Sequence, residues 1–114
     1  MSAVTTHVLD AAQGAPAAGI AVRLEAADGK PLADGNPAAT GLTDADGRCR
    51  DLGPDRLDAG DYRLTFDTGA YFDRRGTATF YPQVSITFRI ADPEQHHHVP
   101  LLLSPFAYST YRGS

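Results

Sequence analysis

Between Val84 and Ile90 the chain alternates with a period of two. Val84, Ile86, Phe88 and Ile90 fall on one side, and Ser85, Thr87 and Arg89 on the other. Successive strand side chains point to opposite faces, so this pattern specifies a strand with one face buried. The pattern recurs where Ile20, Val22, Leu24 and Ala26 face away from Arg23 and Glu25, and where Tyr62, Leu64 and Phe66 share a side. Further candidates are Ala3–Asp10, Ala38–Thr43, His96–Leu103 and Phe106–Arg112. In the first, Val4, Thr6 and Val8 oppose Thr5, His7 and Leu9. Turn signals separate them: Asp28-Gly29, Asp44-Ala45-Asp46-Gly47, Gly53-Pro54, Asp58-Ala59-Gly60-Asp61, Asp92-Pro93-Glu94 and Ser104-Pro105. Residues 11–19 read as a Gly/Pro loop, and Lys30–Asn36 as a loop or an edge. One helix is predicted, Thr68–Arg75, capped by Asp67 or Thr68 and stopped at Gly76. Seven or eight short strands with one helix predict an all-β, antiparallel two-sheet sandwich, in a single domain over 1–114.

At 42% hydrophobic and 21% charged residues the composition is that of a globular chain. A net charge of -4 gives no basic footprint for nucleic acid. No apolar run reaches the roughly 20 residues of a membrane span. Met1-Ser2-Ala3-Val4 shows no charged segment followed by an apolar one, so no signal peptide is expected. Cys49 is the single cysteine. It reads as a small buried hydrophobe and, with no intramolecular disulfide possible, fits a reducing compartment. The expected location is the cytoplasm.

The chemistry concentrates near the end of the chain. His96 and His98 lie two apart on a predicted strand and face one way, with His97 opposite. They read as a surface cluster, a metal site or an acid–base pair. A metal site needs further ligands, and His7 is the one other histidine, so no metal and no cofactor are expected. Arg48 follows a turn glycine, and Arg112 lies in the tail. Either alone reads as a solvated residue. Together with histidines they suit hydrolysis of a small oxygen-rich molecule, because guanidinium groups fork onto carbonyl or carboxylate oxygens. Nothing resembles a nucleophile elbow, so the attacking group is expected to be water.

Val99–Leu103 is apolar on both faces, and Pro100 removes a ladder donor. The apolar run suggests either the sandwich core plus a subunit interface or a deeply buried central strand, while Pro100 favours an edge or interrupted strand whose outward apolar residues pair with another copy, so an oligomer is expected.

Four segments together resemble one family. They are His7-Val8-Leu9-Asp10 with Gly14-Ala15-Pro16-Ala17; Thr43-Asp44-Ala45-Asp46-Gly47-Arg48; His96 through Pro105; and Tyr111-Arg112-Gly113-Ser114. The resemblance is to the 5-hydroxyisourate hydrolases, transthyretin-related enzymes of urate breakdown, and it runs from Ala3 to Ser114. It implies a transthyretin-like (prealbumin-like) sandwich and a homotetramer, a dimer of dimers with the active site in a channel between the dimers. It implies His7, Arg48 and His98 as catalytic residues. It implies Tyr111, Arg112, Gly113, Ser114 and His96 as substrate-binding, with either the Ser114 hydroxyl or a terminal carboxylate touching substrate. The implied reaction opens 5-hydroxyisourate to 2-oxo-4-hydroxy-4-carboxy-5-ureidoimidazoline. His97 departs from the family's usual tyrosine and, pointing away from His96 and His98, is expected to affect packing or an interface. The competing readings are a transthyretin-like carrier of small ligands and a structural or adhesive prealbumin-like repeat.

Overall fold

The alternation at Val84–Ile90 becomes a strand, and the other strong alternations do too. The structure is a computed structural model that describes residues 2–114; Met1, with which the expected domain opens, lies outside the described residues. In chain order the elements are β1 Val4–Asp10, β2 Ala15–Pro16, β3 Ala21–Ala26, β4 Ala39–Leu42, β5 Arg48–Cys49, β6 Gly60–Phe66, α1 Thr68–Arg74, β7 Val84–Ile90, β8 His97–Leu103 and β9 Tyr108–Thr110. One sheet runs β4-β3-β6-β7, antiparallel throughout. The other runs β2-β1-β8-β9, with β5 also pairing β1. The sheets face each other across Val4, Val8, Val22, Leu24, Leu64, Phe66, Leu101 and Leu103, all buried. Each such side chain removed from water contributes about 1.5–3 kcal/mol. Asp67 caps α1 by accepting the Ala70 N–H, and Gly76 ends it at a positive φ. Among the described residues no helix is long and apolar enough to cross a membrane.

The structure departs from the expected antiparallel order in one place. β1 and β8 pair in parallel, Val4 opposite His97 through Asp10 opposite Leu103. They come from opposite ends of the chain, so no tight turn forces them antiparallel. The consequence is a correction for β8. It lies between β1 and β9 rather than at an edge, so Val99, Leu101 and Leu103 serve the sandwich core, Pro100 and Leu102 fall on the outer face with His98, and the strand has no open edge for pairing with another copy.

Pro100 fits an interior strand for a local reason. The His98 carbonyl accepts the Gly113 N–H (2.8 Å), and the Pro100 carbonyl accepts the Thr110 hydroxyl (2.7 Å). Both carbonyls therefore point to the tail, and so would the amide that Pro100 lacks. β9 stops at Thr110, and pairing resumes only as an isolated bridge between His98 and Gly113. The missing donor thus falls opposite the gap at Tyr111, and the last strand is shorter than Phe106–Arg112. The predicted loop 11–19 likewise contains β2, held to the end of β1 by Leu9 opposite Pro16.

Arg48 arrives on a strand, not at a turn tip. The Asp44 carboxylate accepts the N–H groups of Asp46 (2.9 Å) and Arg48 (3.0 Å), and these bonds hold its carboxyl below the ordinary range. Gly47 has φ +76°, and its carbonyl accepts the Val8 N–H at 2.7 Å. A Cβ there would collide with the Val8 carbonyl oxygen. Gly47→Ala should therefore lower unfolding free energy by about 1–3 kcal/mol, read from urea titration. An unchanged midpoint would show that this seat is not tight.

Candidate active site

Register decides which side chains meet. Thr5 lies opposite His98 in the β1–β8 ladder, and His7 lies opposite Arg48 in the β1–β5 ladder. Opposed residues project from the same face of a sheet. Thr5, His7, Arg48 and His98 therefore share the outer face, turned away from the core. A cavity of about 230 Å³ opens there, lined by Thr5, Arg48, Arg50, His96, His98 and Ser114 among others.

Thr5 is at its centre. Its Oγ1 lies 2.8 Å from His96 Nε2 and 2.8 Å from His98 Nδ1. Burial lowers the pKa of His98 below the ordinary 6.5, and the nearby Arg48, His7 and His96 lower it further; a hydrogen bond from the ring to the Thr5 backbone opposes them. The ring is thus held neutral at neutral pH, with a lone pair to accept a proton. Gly113 completes the wall. A Cβ at that position would stand 2.6 Å from His98 Cδ2 and 3.1 Å from Pro100 Cγ, so only glycine lets the tail cross the imidazole.

Some expected residues do not reach the cavity. His7 is half-buried, and its Nε2–H donates to the Asp46 carbonyl at 2.9 Å. It affects His98 through its charge rather than by lining the space. Arg112 turns to the other side of the tail and donates to Gln95 Oε1 at 3.0 Å. There, with Tyr111, it lines a second cleft of about 290 Å³, whose other walls include Ile86, Phe88 and His97. His97 points inward, is 4% exposed, and has an Nδ1 without a hydrogen-bond partner. Three cavity residues were not singled out by sequence: Thr5, Thr6 and Arg50. The available signal was spacing, since each stands within two residues of a candidate, His7 or Arg48. Cys49, 3% exposed, lies on the inner face; burial pushes its thiol up, so it stays protonated and unreactive. Among the described residues no group of three or more potential ligands is placed to hold a metal.

Two facing sheets, one short helix between β6 and β7, and a polar pocket on the outside of the β1–β8 pair define a transthyretin-like sandwich. The comparisons narrow this. The model of the HIUase/Transthyretin family matches residues 4–113. The 5-hydroxyisourate hydrolase of Mus musculus is 46% identical over 114 residues, covering 99% of this chain and 96% of that protein. The solved 5-hydroxyisourate hydrolase of Klebsiella pneumoniae superposes with a TM-score of 0.83 at 39% identity, covering 97% of this chain and 98% of the other. Sea bream transthyretin, solved with thyroxine, superposes at 0.81 with 34% identity, covering 96% and 93%. The chain belongs to the HIUase/Transthyretin family.

The inward histidine has a thermodynamic consequence. Burial first, then Arg112, depresses the His97 pKa below 6.5; His96 adds to this, while Gln95 and Asp92 oppose it. Below pH 6.5 the unfolded chain takes up a proton that the folded ring resists, so stability falls as pH drops from there toward the folded pKa. His97→Phe should flatten part of this slope in denaturant titrations between about pH 5 and 7. An identical slope in the variant would remove His97 from the acid response.

Proposed function

We propose that this chain hydrolyses 5-hydroxyisourate in urate breakdown, with the His98–Arg48 cavity as its active site. The observation carrying this reading is the convergence of a neutral imidazole and two arginines on one small polar cavity, in a family whose relatives bear that activity in their names. Water attacks the carbonyl carbon of a ring lactam while His98 takes its proton. Arg48 and Arg50 hold the substrate oxygens and the developing oxyanion, a role that supplies several kcal/mol. Collapse breaks the C–N bond, and the imidazolium returns the proton to the leaving nitrogen. His7, fixed by Asp46 outside the cavity, acts on His98 electrostatically. Ser114 closes the cavity, and Arg112, tied to Gln95, holds the tail in place.

The working unit in this proposal is a homotetramer, a dimer of dimers, located in the cytoplasm. Three features support the assembly. The cavity is open on one side in a single chain. β7 and β9 are terminal strands of their sheets. Phe80 (70%) and Phe106 (67%) are exposed. A buried, protonated Cys49 suits a reducing compartment. The carrier reading draws on the likeness to sea bream transthyretin, but a cavity walled by histidines and arginines suits a polar reactant better than an apolar hormone.

An ultraviolet assay with freshly prepared 5-hydroxyisourate should show substrate loss well above spontaneous decay; loss at the spontaneous rate would overturn the assignment. His98→Asn should lower kcat roughly 10²–10⁴-fold, and near-wild-type turnover would exclude His98 from the reaction. Sedimentation at micromolar concentration should give a tetramer, and a monomer there would refute the assembly.

A further inference from the structure

Among the described residues Thr5 is the one whose side chain hydrogen-bonds both His96 and His98, and it is 5% exposed. Both contacts, at 2.8 Å, are of full hydrogen-bond length. A hydroxyl gives one proton and receives on its lone pairs. A neutral imidazole has one N–H and one lone pair. The chain His98–Thr5–His96 is therefore complete when one ring donates to Oγ1 and Oγ1 donates to the other.

We propose that Thr5 is a positioning residue for hydrolysis, linking His98 and His96 into one acid–base unit in which His98 faces the substrate and His96 faces solvent. This rests on the hydrolytic reading of the cavity. For His98 to act as a base through Nε2, its proton must sit on Nδ1. Nδ1–H then donates to Thr5 Oγ1, and Thr5 Oγ1–H donates to His96 Nε2. The threonine thus fixes the His98 tautomer, much as a carboxylate does for the histidine of a hydrolytic triad.

The same link moves charge. When Nε2 of His98 takes a proton from water, Nδ1 can release its own to Oγ1 as Oγ1 releases its proton to His96 Nε2. The His98 ring is neutral again, and the positive charge rests on His96. The reverse sequence returns a proton from His96 through Oγ1 to Nδ1, which frees the Nε2 proton for the leaving nitrogen, so atoms and charge balance over the cycle. The direction follows from solvation. His98 is half-buried and His96 exposed, and a cation is better solvated outside. The groups facing His98 reinforce this. Arg48 and Arg50 stand across the cavity, and His7 lies along β1. After burial, it is Arg48, His7 and His96 that disfavour positive charge at His98. Sequence alone hides the unit, because Thr5 is 91 residues from His96 and 93 from His98.

Thr5→Val keeps shape and β propensity but removes the hydroxyl; Thr5→Ser keeps the hydroxyl and removes the methyl. Thr5→Val should lower kcat roughly 10- to 100-fold, less than the ~10⁴-fold that loss of an ionised orienting group costs a histidine base. KM should change less than about threefold, and the acid limb of kcat/KM should move. Thr5→Ser should restore most of the rate. His96→Gln should lower kcat too, and adding Thr5→Val to it should cost little more, because the two act through one chain. Ring ¹⁵N shifts of the free protein should place the His98 proton on Nδ1 in wild type and redistribute it in Thr5→Val. Because that measurement needs no substrate, it separates failure of this link from failure of the hydrolase assignment. Wild-type kcat in Thr5→Val, equal impairment in Thr5→Ser, additive losses in the double variant, or an unchanged His98 tautomer would each overturn the proposal.

Discussion

The pairing of β1 with β8 is what the molecule depends on. It is a seven-residue parallel ladder between segments at opposite ends of the chain. Because the pairing is between residues about ninety positions apart, its closure entropy must be met by the apolar face it completes. Val4, Val8, Leu101 and Leu103, all buried, provide that face. The opposite face of the same two strands carries Thr5, His7 and His98. Register alone brings Thr5 to His98, and a slip of one residue would turn the imidazole into the core. Core and cavity therefore share one cause.

Much of this was legible beforehand. Strict alternation at Val22–Ala26, Tyr62–Phe66 and Val84–Ile90 reported the antiparallel sheet, since a half-buried strand writes its burial into sequence directly. Helix α1 was legible from Asp67 and Gly76. The β1–β8 pairing was not legible in direction, because two strands without a shared turn carry no local mark of parallel or antiparallel order. Pro100 misled for a related reason. A proline excludes a strand interior only when its missing amide faces a donor-requiring neighbour, and here it faces a break. Arg48, His98 and Ser114 reach the cavity as motif resemblance implied. Arg112 does not, since side-chain direction in the irregular tail follows the Gln95 contact, which no periodicity encodes. Thr5 was placed on the right face, but its two bonds depend on three-dimensional register.

The electrostatics of the cavity run against those of the chain. A molecule of net charge -4 gathers Arg48, Arg50 and two histidines on one outer surface. Such a patch draws a small oxygen-rich or anionic solute and orients it on arrival. Burial, then Arg48, lowers the His98 pKa and so favours its neutral ring. Under the proposed function, affinity for substrate oxygens and availability of a base come from one arrangement. The tail is subordinate to it. Gly113 passes over the imidazole because it has no side chain, and the Gly113–His98 backbone bond anchors it there.

The two-sided character of β1 and β8 also maps where variation is tolerated. On these strands one parity of positions answers to folding and the other, under the proposed function, to ligand. Libraries confined to the outward parity could redraw substrate preference while leaving the thermodynamic foundation of the sandwich intact, and drift at inward positions would be purged before any change of specificity became visible.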